Sequence, residues 1–273
     1  MKKTFFVILT FTVLFASAKS QDTKEYVILG QINGTFGHGT QEKLKGKVKE
    51  IKQTHFWADV KDGKVVKGRI ITAQDRKVTP LGRDSDEHYN KLGIVTRSTT
   101  FDEIGKVLLD IKASSEGRIL KEADYLINDT IRTKVKYKYD GEKMIEADSK
   151  NPANDTLVSA IKYEYDQKGQ ITKVLNCNFR MEPQGYSLYE RDENGSPLKA
   201  DAYNKSGKMT SLHAFTYDKK GDRNGHHEVN YSNGEVTNYT FSYEYDKLGN
   251  YTAIIFIKDG KPFIYRAREI TYY

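Results

Sequence analysis

An aromatic residue, an acid, two variable residues and a glycine recur along this chain, and that unit constrains the fold more than any other feature. Tyr165-Asp166-Gln167-Lys168-Gly169, Tyr217-Asp218-Lys219-Lys220-Gly221 and Tyr245-Asp246-Lys247-Leu248-Gly249 are full copies. Variants stand at Tyr89–Gly93, Phe101–Gly105, Arg191–Gly195 and Tyr203–Gly207, and two-residue forms at Asp62-Gly63, Asp140-Gly141, Asn233-Gly234 and Asp259-Gly260. From Gly195 onward the turn glycines are 195, 207, 221, 234, 249 and 260, so one strand and one turn recur every 11 to 15 positions. That spacing suits short antiparallel strands. Asp or Asn at the first turn position accepts hydrogen bonds from backbone N–H groups further on, and the glycine takes the left-handed conformation that closes a type I turn with a bulge. Asn-Gly and Asp-Gly supply the positive φ angles of a type I′ hairpin. These acids are turn formers, not catalytic carboxylates.

Between the turns the residues alternate. Tyr239, Phe241, Tyr243 and Tyr245 point one way and Thr240, Ser242 and Glu244 the other; Val135, Tyr137 and Tyr139 alternate with Lys134, Lys136 and Lys138, and Ile161, Tyr163 and Tyr165 with Lys162 and Glu164. Each strand has one apolar and one wet side. With 19 Tyr, 12 Phe and 21 Gly but only 37% hydrophobic residues, the chain is lean for a thick central core. The expected fold is all-β, an antiparallel meander of repeated short hairpins forming an extended, twisted sheet or solenoid-like array. Three segments are expected: a signal peptide over 1–20, an N-terminal β region over 21–98 with an irregular loop at 73–91, and the hairpin array over 99–273. Ser98 to Ala113 is ambiguous. Phe101, Ile104, Leu108 and Ile111 have helical spacing with a capping box at Thr100 and Glu103, but Gly105 costs a helix interior about 1 kcal/mol, which favours a hairpin. Asp148 to Asp155, with Asn151-Pro152, is expected to be a longer loop.

Lys2 and Lys3 precede an apolar run from Thr4 to Ala16, followed by small residues, which is the pattern of a secretory leader. Cleavage is expected after Ala18 or, preferentially, after Ser20. The run of about 13 residues is too short to span about 30 Å of hydrocarbon as a helix. The only cysteine, Cys177, stands far from that region, which excludes an internal disulfide and a multi-thiolate metal site and argues against a lipoprotein. A net charge of +7, spread among interleaved acids, suits a solvated surface and no nucleic-acid partner.

The Tyr-Asp-x-x-Gly units resemble those of YD-repeat, or RHS-like, proteins, most clearly from Tyr137 to Tyr273 and more weakly from Leu44 to Tyr125. Leu44-Lys45-Gly46-Lys47-Val48 and the closing Arg268-Glu269-Ile270-Thr271-Tyr272-Tyr273 are similar to the ends of exported members from Gram-negative bacteria. In the large members the repeats form a β shell around a toxin domain. No long non-repetitive C-terminal region is present here, so the resemblance implies fold more than activity.

No catalytic constellation emerges, and no cofactor or metal site is expected. Gly34, Gly37 and Gly39 beside His38 lack the GK[ST] of a phosphate loop, and no G-x-S-x-G elbow is present. His226 and His227 are adjacent, so on a strand they point to opposite faces, and no third ligand sits at a recognisable spacing. Cys177 reads as a packed thiol. The expected role is that of a noncatalytic envelope or secreted scaffold, periplasmic or extracellular, whose partner is a polysaccharide or an envelope protein. Binding would fall to exposed tyrosines of the C-terminal half: Tyr203, Tyr217, Tyr231, Tyr239, Tyr243 and Tyr245. Asp129-Thr130-Ile131 and Asp155-Thr156-Leu157 resemble the acceptor of an O-glycosylation system of some Gram-negative bacteria, with Thr130 and Thr156 as candidates. One alternative is a periplasmic enzyme with dispersed residues such as His55, Asp84, Asp86 and His88. Another is an outer-membrane β-barrel, although spanning strands need about 9–11 residues with a continuous lipid-facing stripe that most repeats lack, so no stable membrane insertion is expected.

Overall fold

The computed structural model describes residues 26–27, 43–78, 82–102 and 104–273; the leader, its cleavage sites, the glycine-rich stretch around His38 and Glu103 lie outside the described residues. In chain order the elements are β1 (Tyr26–Val27), β2 (Lys43–Leu44), β3 (Val48–Lys61), β4 (Lys64–Ile70), α1 (Ala73–Val78), β5 (Ser85–Tyr89), β6 (Val95–Phe101) and β7 (Val107–Glu116). They continue with β8 (Ile119–Ile127), β9 (Thr130–Asp140), β10 (Lys143–Lys150), β11 (Leu157–Tyr165), β12 (Ile171–Asn178) and β13 (Pro183–Arg191). The last are β14 (Pro197–Asn204), β15 (Met209–Tyr217), β16 (Arg223–Asn230), β17 (Glu235–Tyr245), β18 (Tyr251–Lys258) and β19 (Lys261–Tyr272).

Strands β3 to β19 form one closed antiparallel barrel. Their seventeen strands fill sixteen ring positions, because β4 pairs with the distal half of β3 and β5 with its proximal half on the same side. The seam is the pairing of β19 with β3, from Ile264↔Trp57 to Tyr272↔Val48. The all-β antiparallel expectation stands, whereas the extended or solenoid-like array is corrected to a closed ring. Alternation along one strand says nothing about which strand its far neighbour meets. Register shifts between Glu164 and Tyr165, Glu190 and Arg191, Thr216 and Tyr217, and Glu244 and Tyr245 supply the bend, since bulges sharpen twist and let a sheet curl.

Closure also overturns the expectation of no stable membrane insertion. That expectation rested on short repeats without a continuous lipid-facing stripe; the strands instead close into a ring of hydrogen-bonded neighbours, which is the backbone arrangement by which strands span a bilayer. No helix among the described residues is long and apolar enough to cross a membrane, which leaves strands out of account.

Residues 73–91 are not one irregular loop, since they supply α1 and β5, and β5 is a ring strand. Arg69 and Thr72 hold Asp75 in the first turn of α1 (Arg69 Nη1 to Asp75 Oδ2 2.7 Å). β6 and β7 pair as a hairpin, with Gly105 N donating to Asp102 O (3.2 Å) and Gly105 at φ 79°. The boundary drawn between 98 and 99 falls inside β6, and both segments contribute to one ring.

The turns divide by end. Tyr89-Asn90, Tyr139-Asp140, Tyr165-Asp166, Arg191-Asp192, Tyr217-Asp218 and Tyr245-Asp246 close hairpins at one end of the barrel, whereas the turns at Asn128, Asn151, Asn178, Asn204 and Asn230 lie at the other. Each acid does the work its position requires: Asp218 Oδ1 accepts from Lys220 N (2.8 Å) and Asp222 N (3.0 Å), and Asp192 and Asp246 repeat the pattern.

Side chains at the motif's first position, or two residues before it in β17, have a second task. Tyr165 Oη donates to Met144 O (2.5 Å), Tyr217 Oη to Pro197 O (2.7 Å) and Tyr243 Oη to Arg223 O (2.6 Å), and Arg191 Nε takes the same place on Ile171 O (2.8 Å). Each reaches the neighbouring strand about 20 residues back, at or next to its first residue, and caps a carbonyl at the strand end. The N-terminal segment is tied to the same end: Asn250 accepts from Lys45 N (2.7 Å) and donates to Lys45 O (2.8 Å), and Leu44 is fully buried with Val48, Ile51, Tyr89 and Val95.

One face of the ring is buried and the other is wet. Tyr137 and Tyr163 are 8% and 6% exposed, whereas the side chains of Lys138 and Lys162, one position away, are 55% and 41% exposed. The buried face carries Ala123, Tyr125, Val135, Tyr137, Ala147, Ile161 and Tyr163 from neighbouring strands in one cluster, so it faces inward. The outward face pairs Lys138 with Glu146 and Asp148, Lys162 with Glu146, and Lys199 with Asp201.

Candidate functional site in the barrel lumen

Register places the side chains of chemical interest. Counting from inward Tyr163 through Val174, Ser187, Ala202 and Ser211, the inward residues of β15 are Ser211, His213, Phe215 and Tyr217, and those of β16 include His226 and Glu228. The rings of Phe215, His226 and Tyr239 then lie in a row across three strands, 4.9 Å and 5.8 Å apart by centroid. Arg223, Arg266 and Arg268 lie over Phe215, Phe256 and Tyr251, so guanidinium–aromatic contacts line the lumen.

His55, inward opposite Arg266 in register, is 1% exposed and held from both sides. Its backbone N–H donates to Asp84 Oδ1 (2.8 Å), its Nδ1 lies 3.2 Å from the same oxygen, and Arg266 Nε donates to its Nε2 (3.0 Å). Nε2 therefore carries the lone pair and Nδ1 the proton. Burial of the Asp84 carboxyl opposes its charge, but hydrogen bonds from the His55 side chain and backbone, with Arg76 nearby, hold it below the ordinary carboxylate range. A Cβ on Gly82 would come within 2.8 Å of His55 Nε2, so that position needs glycine. Both imidazole nitrogens are thus engaged by the protein itself, an arrangement that fastens the segment before β5 to β3 and β19. Of the dispersed residues considered for an enzyme, His55 and Asp84 meet here. His88 and Asp86 face outward, with His88 Nδ1 3.8 Å from Glu50.

The second cluster lies on β15 and β16. His213 Nδ1 is 3.1 Å from His226 Nε2, and His213 Nε2 is 3.1 Å from Ser211 Oγ. Glu228 stands directly opposite His213 in register and two residues from His226, so all three share a face. Their donor atoms fall within 4.8 Å of one another, with both histidines buried and Glu228 half-buried. His227 points outward, where its Nδ1 meets Asn238 Oδ1 at 2.8 Å. The adjacent pair His226-His227 is indeed split across the wall, but sequence reasoning missed the trio. Its signal was present: a His-x-Glu on one strand and a His on the strand it hairpins with.

The six candidate binding tyrosines do not form a platform. Tyr203 faces outward and stacks on Tyr186 (4.7 Å between centroids), Tyr239 is buried inside, and Tyr217 and Tyr243 are committed to carbonyl caps. Tyr245 donates to Asp222 at the Tyr-Asp end, and Tyr231 is exposed in a turn at the opposite end. Thr130 and Thr156 are both exposed at that opposite end, each following an aspartate in the left-handed region (Asp129 φ 56°, Asp155 φ 55°).

No protein-family profile and no curated protein matches this chain. Solved structures similar to it include a porin-like protein from Bacteroides uniformis (9% identity, TM-score 0.34, covering 82% of this chain and 96% of that one). A porin-like protein from Bacteroides vulgatus is similar as well (11%, TM-score 0.35, 83% and 98%). The TcdB2-TccC3 structure is a third (10%, TM-score 0.33), and there this chain covers only 14% of the other. At these scores the likenesses carry no argument about chemistry or function.

Proposed function

We propose that the protein is a noncatalytic β-barrel of the cell envelope that acts through its lumen rather than through strand edges or an aromatic platform. Ring closure carries this reading: it pairs neighbouring strands around the wall and turns His55, His213, His226, Glu87 and Glu228 inward together with most aromatics. The secretory pattern at Lys2 to Ala18 supports an envelope location. Thiol labelling tests the lumen. In a Cys177→Ala background, cysteine at inward Ser211 should react with small reagents and resist bulky ones, while cysteine at outward Ala214 reacts with both. Equal reaction of both positions with bulky reagents would refute an enclosed lumen.

A second reading, insertion in the outer membrane, is favoured by the same closure, because a closed ring pairs strand backbone groups within the wall. It has to accommodate outward charges such as Lys138, Lys162 and Lys199, since an unpaired Lys or Arg on the lipid face costs about 2–4 kcal/mol at the midplane. Fractionation of cells that export the full chain decides it. Insertion requires recovery with the outer membrane, resistance to alkaline extraction and release by detergent, and recovery as a detergent-free native protein rejects it.

A further inference from the structure

We propose that His213, His226 and Glu228 form a binding site for a divalent transition-metal ion, zinc by preference, on the inner wall of the barrel. The inference deepens the lumenal reading and rests on it for access, while its chemistry rests on three side chains alone. Strand geometry brings them together. Residues 226 and 228 are two apart and share a face, and the β15–β16 pairing sets His213 against Glu228 with Phe215 against His226. The facing nitrogens, His213 Nδ1 and His226 Nε2, are 3.1 Å apart, and their rings are within 16° of parallel with centroids 5.3 Å apart, so both nitrogens lie between the rings. Two imidazoles bound to one tetrahedral ion at about 2.0–2.1 Å hold their nitrogens slightly farther apart than this. A shift of a few tenths of an ångström admits the ion.

The donor set fits that class of metal. Two imidazoles and one carboxylate make a three-ligand set that suits zinc and other late first-row ions and leaves a position for water or a lumenal ligand. Calcium and magnesium prefer all-oxygen shells, which disfavours them here. The outer shell has the form that oriented metal ligands take: with Nδ1 of His213 on the ion, its Nε2–H donates to Ser211 Oγ, 3.1 Å away. The site is also held rigidly, because His226 is packed between Phe215 and Tyr239. Burying an anionic carboxylate beside two uncharged imidazoles is costly, and a divalent cation reverses that cost. His227, one residue away on the outer face, provides an internal control.

Cobalt(II) titration of the mature folded protein, followed by its visible absorption, reads the site directly. The expected result is one cobalt per chain, with bands of a low-coordinate nitrogen–oxygen site, displaced by one equivalent of zinc. His213→Gln and His226→Gln abolish the bands, Glu228→Gln weakens binding, Ser211→Ala weakens it about tenfold, and His227→Ala leaves it unchanged. Absence of any band in the wild-type protein overturns the proposal without recourse to a variant. So do bands that survive both histidine substitutions in folded protein, or bands lost on replacing His227. If labelling at Ser211 shows no enclosed lumen while cobalt still binds in this pattern, the metal site stands and the lumenal reading falls.

Discussion

At the scale of single residues, the recurrent tyrosine has two tasks, one for its ring and one for its hydroxyl. Tyr217 packs inward at the end of β15 and donates to Pro197 O, a strand-end carbonyl. Removing only the oxygen separates the tasks. Tyr217→Phe should cost about 0.5–1.5 kcal/mol in denaturant unfolding, the value of one hydrogen bond, while Tyr231→Phe, in an exposed turn, should leave the midpoint unchanged. That Arg191 replaces Tyr at the same place, with its Nε on Ile171 O, supports the donor as the common requirement. Thr130 and Thr156 belong to this scale as well. Both hydroxyls lie on the exposed end opposite the Tyr-Asp turns, and protein made in its native host should have an intact mass above that of its sequence. Thr130→Ala and Thr156→Ala would each remove part of the excess, and a mass equal to the sequence would reject the modification.

At the scale of the hairpin, the turn is specified by two atoms and one dihedral. Gly221 has φ 86° and open space where a Cβ would stand, so its substitution costs backbone energy without a clash. Gly221→Ala should destabilise by about 1–2 kcal/mol and Gly221→Asn by less, measured by thermal unfolding, since asparagine tolerates the left-handed region. The turn acids also bring pH into the stability. At Asp246, desolvation opposes the charge, but hydrogen bonds from Tyr272 and from backbone N–H groups of Asn250, Leu248 and Gly249 outweigh it and hold the carboxyl below its usual value. A depressed folded pKa contributes stability that is present above the unfolded value of about 3.9 and is lost as pH falls through the folded one. The unfolding midpoint should therefore fall as pH drops below about 4, and Asp246→Asn should flatten that fall. An unchanged slope would show that Asp246 does not contribute. Asparagine keeps the turn, because Asn90 and Asn204 already hold equivalent turns through the same side-chain oxygen.

At the scale of the whole molecule, the seam between β19 and β3 turns a meander into a barrel. Thr54 and Ala267 face each other across it on the outer surface, as Ala267↔Thr54 in the register. Cysteines placed at both, with Cys177→Ala, should crosslink spontaneously under mild oxidation. The crosslink should stabilise the fold by about 4–5 kcal/mol, because it closes a loop of more than 100 residues. A folded double variant that stays reduced would show that the ring is open. Much of the fold was legible in the sequence: strand alternation, turn chemistry, the antiparallel order of neighbours and the role of Asp166, Asp218 and Asp246 as turn formers all follow from contacts within one hairpin. So does the opposite facing of His226 and His227. What tertiary structure alone decided lies beyond one hairpin or across the wall. Residues 73–91 became a helix and a ring strand because β5 finds the unpaired half of β3, His55 met Asp84 and Arg266, and the six tyrosines were dispersed over two faces and two ends. His213, His226 and Glu228 converge within one hairpin, but only register, set by bulges and turn lengths, shows that they face the same enclosed space. The physical reason is one of range: a turn motif and a two-residue period specify a strand and its next neighbour. Closure depends instead on accumulated twist and on pairing between segments about 200 residues apart, and neither leaves a local signal.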